Sequence, residues 1–407
     1  MRRLVGLLLI TLAACGDARV TAPSGTADFA RVAVLGTGLS MGEQSAGVVY
    51  ETQVTSWGAQ LAARMGTPFR VPALRQPGCT PLLVAPLSAY RFVSGAITPL
   101  GAVSCAGRLG SDSLPANIVA MVGATAWDAL HTTPRSFLAN SSGLDATRYG
   151  AVLPSLQTQV LAMQSLKPTL VAVELGASEV WRTLTGVVTA GASYTQKTAW
   201  TLIPASVFSP VLDSIADSVA TTKAKAVFLG VPSITTLPAL RAGDALWQDR
   251  AALATYRIAV AADCQGSANL LNTAALLPSL AAAARDSSKT LTLSCADRPG
   301  VADYVLTPSD VATITQTITA INTAIKAAAE KRGFAYAETT GYYTGFRTAP
   351  PAFSASTFLS SDLPYGLAVS LDGVQPSATG QAYLADDVAT ALNAKYGWSI
   401  PIPPRLR

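Results

Sequence analysis

Short β-type apolar runs alternate with longer stretches of helical periodicity along most of the chain, and this alternation constrains the fold more than any other feature. Arg31-Val32-Ala33-Val34-Leu35 reads as a first strand ending at Gly36, after which Val54, Trp57, Leu61 and Met65 recur at helical spacing. Residues 117–122 read as a second strand, followed by Gly123 and a short helix through Leu130. A helix is predicted over 152–166, stopped by Pro168. Residues 169–175 form a nearly unbroken apolar run, the kind buried on both faces of a parallel sheet. A helix over 207–222 and a fourth strand over 226–229 come next. A long helix then opens at Pro308 with Thr307 as its cap, carrying a stripe of Val311, Ile314, Ile318, Ile321 and Ile325. A short fifth strand over 334–337 and a last helix from Pro376 complete the series. The pattern predicts an α/β fold, with one doubly wound, mostly parallel five-stranded sheet covered by helices on both faces. Residues 29–400 read as a single domain, with insertions at about 72–115 and 236–306.

The first residues read differently. Met1-Arg2-Arg3 is a basic start, residues 4–12 are an apolar run too short to span a bilayer, and small residues precede Cys15. Leu12-Ala13-Ala14-Cys15 resembles the lipobox of bacterial lipoproteins, which implies removal of residues 1–14 and lipidation of Cys15. Gly16 rather than an aspartate follows, which points to the outer membrane of a bacterial envelope. Residues 15–28 read as a flexible tether. With Cys15 set aside, four cysteines remain for an oxidising compartment. Of their three pairings only Cys79–Cys105 with Cys264–Cys295 is strictly local, and it staples each insertion once.

Composition removes several function classes. Half the residues are hydrophobic and 13% are charged, which excludes general disorder. A net charge of +5 spread over 407 residues gives no basis for nucleic-acid binding. His131 is the only histidine and reads as a helix-end residue beside Pro134, so no metal site and no cofactor are expected.

In doubly wound folds ligands sit beyond the carboxyl ends of the strands. Four segments fall there. They are Gly36-Thr37-Gly38-Leu39-Ser40-Met41-Gly42, the turn at Gly123, Gly176-Ala177-Ser178-Glu179, and Asp372-Gly373-Val374-Gln375-Pro376-Ser377-Ala378-Thr379-Gly380. In order and setting they resemble the blocks of the SGNH (GDSL-like) hydrolase superfamily: Gly-Asp-Ser-Leu-Ser-x-Gly, a glycine, Gly-x-Asn-Asp, and Asp-Gly-x-His-Pro-Ser-x-x-Gly. The resemblance spans about residues 30–395 and implies a three-layer α/β/α flavodoxin-like fold and esterase, lipase or acetyl-hydrolase ancestry. It also places the family's nucleophilic serine at Gly38, its base at Gln375 and its oxyanion-hole asparagine at Ser178, leaving Gly123 and Asp372 as the family has them.

These replacements remove the chemistry that the resemblance implies. Glycine has no oxygen to attack with, and glutamine has no basic lone pair near neutrality. The expectation is a catalytically degenerate cleft that binds an acyl, acetylated-glycan or lipid-like ligand through Gly38, Ser40, Gly123, Ser178, Glu179, Asp372 and Gln375. The alternatives are an ester hydrolase using Ser40 or a carboxylate-activated water, and a structural or partner-binding envelope protein. Ser40 otherwise reads as a helix cap. A dinucleotide site at Gly36, Gly38 and Gly42 lacks the acidic ribose partner such sites need.

Overall fold

The computed structural model describes residues 28–89, 91–93, 106–136, 144–196, 199–273, 286, 288–346 and 355–404. The expected leader, tether and lipidation site at Cys15 lie outside them.

Five parallel strands form the central sheet: β1 (Val32–Gly36), β2 (Ile118–Ala120), β3 (Leu170–Glu174), β4 (Lys225–Leu229) and β5 (Ala335–Ala337). Their spatial order is 2-1-3-4-5, the flavodoxin-like order. β1, β2 and β3 are buried along their whole length, as the unbroken apolar runs require. Gly36 is in register with Ala120 on one side and Glu174 on the other, so three chain segments leave the sheet at one level.

Helices α1 (Gly38–Met41), α2 (Trp57–Arg64), α3 (Ala126–His131), α4 (Gln159–Ser165), α5 (Ala205–Thr221), α6 (Pro308–Lys331) and α7 (Ala378–Tyr396) follow these strands. α2 packs on α7, and α4, α5 and α6 pack together in series. The isoleucines at 314, 318, 321 and 325 of α6 are buried, as are Leu384, Val388 and Leu392 of α7. Thr307 caps α6 in a box with Asp310, as its sequence predicts.

Two helix boundaries differ from expectation. The single helix over 152–166 is instead Leu144–Val152 and then α4, because Pro154 cannot continue the first and Thr158 caps the second. The last helix begins at Ala378 rather than Pro376, with the Ser377 hydroxyl accepting from Gly380 N–H. The insertions also carry strands that were not anticipated: a two-stranded pair at Leu83–Val84 and Arg91–Phe92, and three- and two-stranded sheets within 240–306. Cys264 and Cys295 form the expected disulfide. Cys79 is also disulfide-bonded, while Cys105 lies outside the described residues.

Buried glutamines fix the loops above the sheet. Gln159 Nε2 donates to Gly36 O and Val119 O at 2.8 and 2.7 Å, tying α4 to the ends of β1 and β2. Gln381 accepts from Trp57 N–H and donates to Leu39 O, holding α1 against α2 and α7. At Gly380 the first turn of α7 approaches the preceding loop so closely that a Cβ would lie 2.0 Å from Ala368 O. Because that neighbour is backbone and cannot swing away, Gly380→Ala is expected to cost about 1–3 kcal/mol, read as a lowered thermal midpoint.

Candidate active-site cleft

The turn after β1 is organised by a buried acid. Glu174, the last residue of β3, accepts from Thr37 N–H and from the Thr37 and Ser40 hydroxyls at 2.9 Å, and from Ser40 N–H at 3.3 Å. Burial pushes its carboxyl up to about 7 against the pull of these donors.

Gly42, at φ 83°, turns the chain at the end of α1 and sends Glu43 back over the helix. The Glu43 Oε2 atom sits 2.0 Å from where a Cβ on Gly38 would be. Gln375 Nε2 donates to this same oxygen at 3.1 Å. Burial raises the Glu43 carboxyl to about 8, with repulsion from Asp372 adding to the shift and Arg148 opposing it. Glutamate and glutamine therefore face each other at the positions where the sequence resemblance expects serine and histidine.

The other loops close the space. Gly38, Glu43, Gly123, Ser178 and Gln375 line one cavity of about 210 Å³, with Thr37, Val122, Ala177 and Trp181 completing its wall and Arg182 contributing to its lining. The N–H groups of Gly38 and Gly123 and the Ser178 hydroxyl make no hydrogen bond among the described residues. The Arg182 guanidinium stacks over Trp200, 4.3 Å from its ring centroid. Hollows of similar size beside Tyr50 and Arg108, and between Arg31 and Thr222, contain none of these loop ends.

Three residues expected in the pocket are committed elsewhere. Ser40 is fully buried with its hydroxyl donating to Glu174 and does not line the cavity, and Thr37 rather than Ser40 holds the cap position. Glu179 is fully buried beneath α3, accepting from Ala126 N–H at 2.6 Å and Tyr194 O–H at 2.9 Å, and burial pushes it up to about 7. Asp372 spends its carboxylate on the N–H groups of Val374, Gln375 and Ala46 at 2.7–2.8 Å, folding the last block instead of orienting a side chain. Its own carboxyl is raised by burial.

His131 is exposed, with its ring 3.9 Å from that of Trp127, and does not line the cavity. Asp263, Cys264 and Cys295 cluster with metal-ligand types, but both sulfurs are held in the disulfide.

Sequence reasoning missed Glu43 and Glu174. Glu174 carried a signal, an acid closing an otherwise apolar strand. Glu43 immediately follows the first glycine block, and only the turn at Gly42 brings it over Gly38.

No family model and no curated protein matches the chain. Solved structures similar to it include LAE5, an alpha/beta hydrolase enzyme from the metagenome of Lake Arreo, Spain, at 10% identity. That match covers 89% of this chain and 94% of LAE5, with a TM-score of 0.36. A variant of Axe2, an acetyl xylan esterase from Geobacillus stearothermophilus, is 10% identical over 92% of this chain and 96% of its own, at a TM-score of 0.38. TesA is 13% identical over 89% and 98%, at 0.34. These likenesses are distant, and the fold assignment rests on the strand order itself. The chain has a three-layer, flavodoxin-like α/β/α fold with strand order 2-1-3-4-5.

Proposed function

We propose that this chain is a non-hydrolytic binding protein of the bacterial envelope, anchored through Cys15, whose cleft holds the acyl part of an acylated or acetylated ligand. The observation that carries the reading is the Glu43 carboxyl lying over Gly38. It fills the space an attacking hydroxyl would need, and Gln375 bonded to it cannot take a proton. Glu43 is mostly protonated at pH 7, because burial raises its carboxyl to about 8, and in that form it donates a proton rather than accepting one. What remains is a set of hydrogen-bond donors fit to grip a carbonyl. Such a set can stabilise an oxyanion but has no attacking group to generate one. A cavity of about 210 Å³ favours an acetyl or short acyl group over a long chain. The export leader and the cysteine that ends it support the anchor.

The test uses the purified full chain with aryl acetate and aryl butyrate at pH 7. Turnover is expected to stay at the buffer rate, while saturation-transfer NMR detects binding of acetylated probes. Turnover well above buffer that disappears in Glu43→Gln would establish a carboxylate-driven hydrolase instead. Absence of binding to any acyl probe would favour a structural or partner-binding role.

A further inference from the structure

We propose that among acyl-bearing ligands this cleft holds most tightly a small carboxylate, bound as an anion, with esters and neutral amides as weaker occupants. The inference rests on the reading that the cleft binds without cutting, and it follows from the donors and acceptors left unpaired there.

Donors outnumber the one buried unpaired acceptor of the lining, Gln375 Oε1. The N–H groups of Gly38 and Gly123 and the Ser178 hydroxyl are uncommitted among the described residues. The indole N–H of Trp181, which lines the same cavity, is buried without a partner. Arg182 brings a guanidinium held by its stacking on Trp200, and it makes no ion pair among the described residues. A carbonyl oxygen offers two lone pairs to such a set. A carboxylate offers about four lone-pair sites, and bonds to a charged acceptor are roughly twice as strong as neutral ones.

The obvious objection is Glu43, a second carboxyl in the same cavity. Two carboxylates in contact cannot both be charged, but an acid and a carboxylate can share one proton. Glu43 keeps its proton to about pH 8. In that state it can donate O–H to a ligand oxygen while still accepting from Gln375 Nε2. The other charges that bear on it are Asp372, held by backbone N–H groups, and Arg148, which opposes it. The cavity of about 210 Å³ has room for about seven water-sized groups, enough for an acid of a few carbons or for the carboxylate end of a larger molecule.

The probes are acetate and butyrate, with methyl acetate and acetamide as neutral isosteres, titrated into the full chain by NMR at pH 6.5 and 9.5. The carboxylates are expected to bind at least about tenfold more tightly than their isosteres at pH 6.5. Their affinity is then lost about tenfold per pH unit once Glu43 ionises above pH 8. Glu43→Gln, whose amide N–H can replace the acid as donor, should abolish that pH dependence. Arg182→Gln, a change at an exposed position, should weaken carboxylates more than acetamide. Equal or tighter binding of the neutral isosteres overturns the carboxylate and leaves the acyl-binding reading standing. Failure of every probe to bind removes both. A pH dependence that persists in Glu43→Gln also overturns the inference.

Discussion

A serine introduced at position 38 is expected to yield no esterase, even with Gln375→His and Ser178→Asn beside it. The new Cβ would meet Glu43 Oε2 at 2.0 Å and Cδ at 3.1 Å, and the hydroxyl needs still more room. Glu43 must then swing off Gly38 into the cavity, which costs about 1 kcal/mol and blocks the cleft. Adding Glu43→Ala removes the obstruction. Aryl-acetate turnover in the resulting four-position variant is expected to exceed that of the three-position variant by about 10²-fold or more, the usual contribution of a positioned general base. Full activity is not expected. Asp372 is tied to three backbone N–H groups and is a poor partner for a new imidazole. Equal turnover in the two variants would show that Glu43 is not what obstructs the site.

The second large effect is on stability. Glu174 and Glu179 are 3% and 0% exposed, and burial pushes both carboxyls from the ordinary value of 4.5 up to about 7. Between pH 4.5 and 7 the folded chain therefore binds more protons than the unfolded chain. Stability is highest below that window and falls as pH rises through it. Each group can contribute up to about 3 kcal/mol to the decline, at 1.36 kcal/mol per pH unit. The thermal midpoint should accordingly drop by several degrees from pH 5 to pH 8. Glu174→Gln combined with Glu179→Gln should reduce that slope, leaving the share of Glu43, whose buried carboxyl is raised to about 8, and of Asp372. A wild-type midpoint that rises over this range would mean that the two acids are ionised in the fold.

The main sheet was legible because its signal is local. Three strands are buried along their whole length and apolar up to their last residue, so their apolar runs alone find them, and the right-handed crossover rule leaves few ways to assemble them. The small strands of the insertions were not legible, since pieces such as Leu83–Val84 or Val305–Leu306 are too short to carry a period. At the site, motif order located Gly38, Gly123, Ser178 and Gln375 on a common cavity. It failed for Ser40, Glu179 and Asp372, whose side chains are held by other partners: Ser40 by Glu174, Glu179 by Ala126 and Tyr194, and Asp372 by the backbone of its own turn and of Ala46. Glu174 is 134 positions from Ser40, and no local pattern announces that bond. Glu43 escaped for a different reason. Its role depends on the absence of a side chain at Gly38, and a missing atom leaves no motif to match.

The bonds of Asp372 and Ser370 to the segment around Ala46 join points about 326 residues apart. Synthesis runs from the amino end, so nine-tenths of the polypeptide exists before the cleft can acquire its final wall. Contacts of such long range also form late, because closing so large a loop costs entropy before any bond is gained. A nascent or truncated product ending before position 372 can therefore contain the first four strands, and even the fifth, and still have nowhere to seat a ligand.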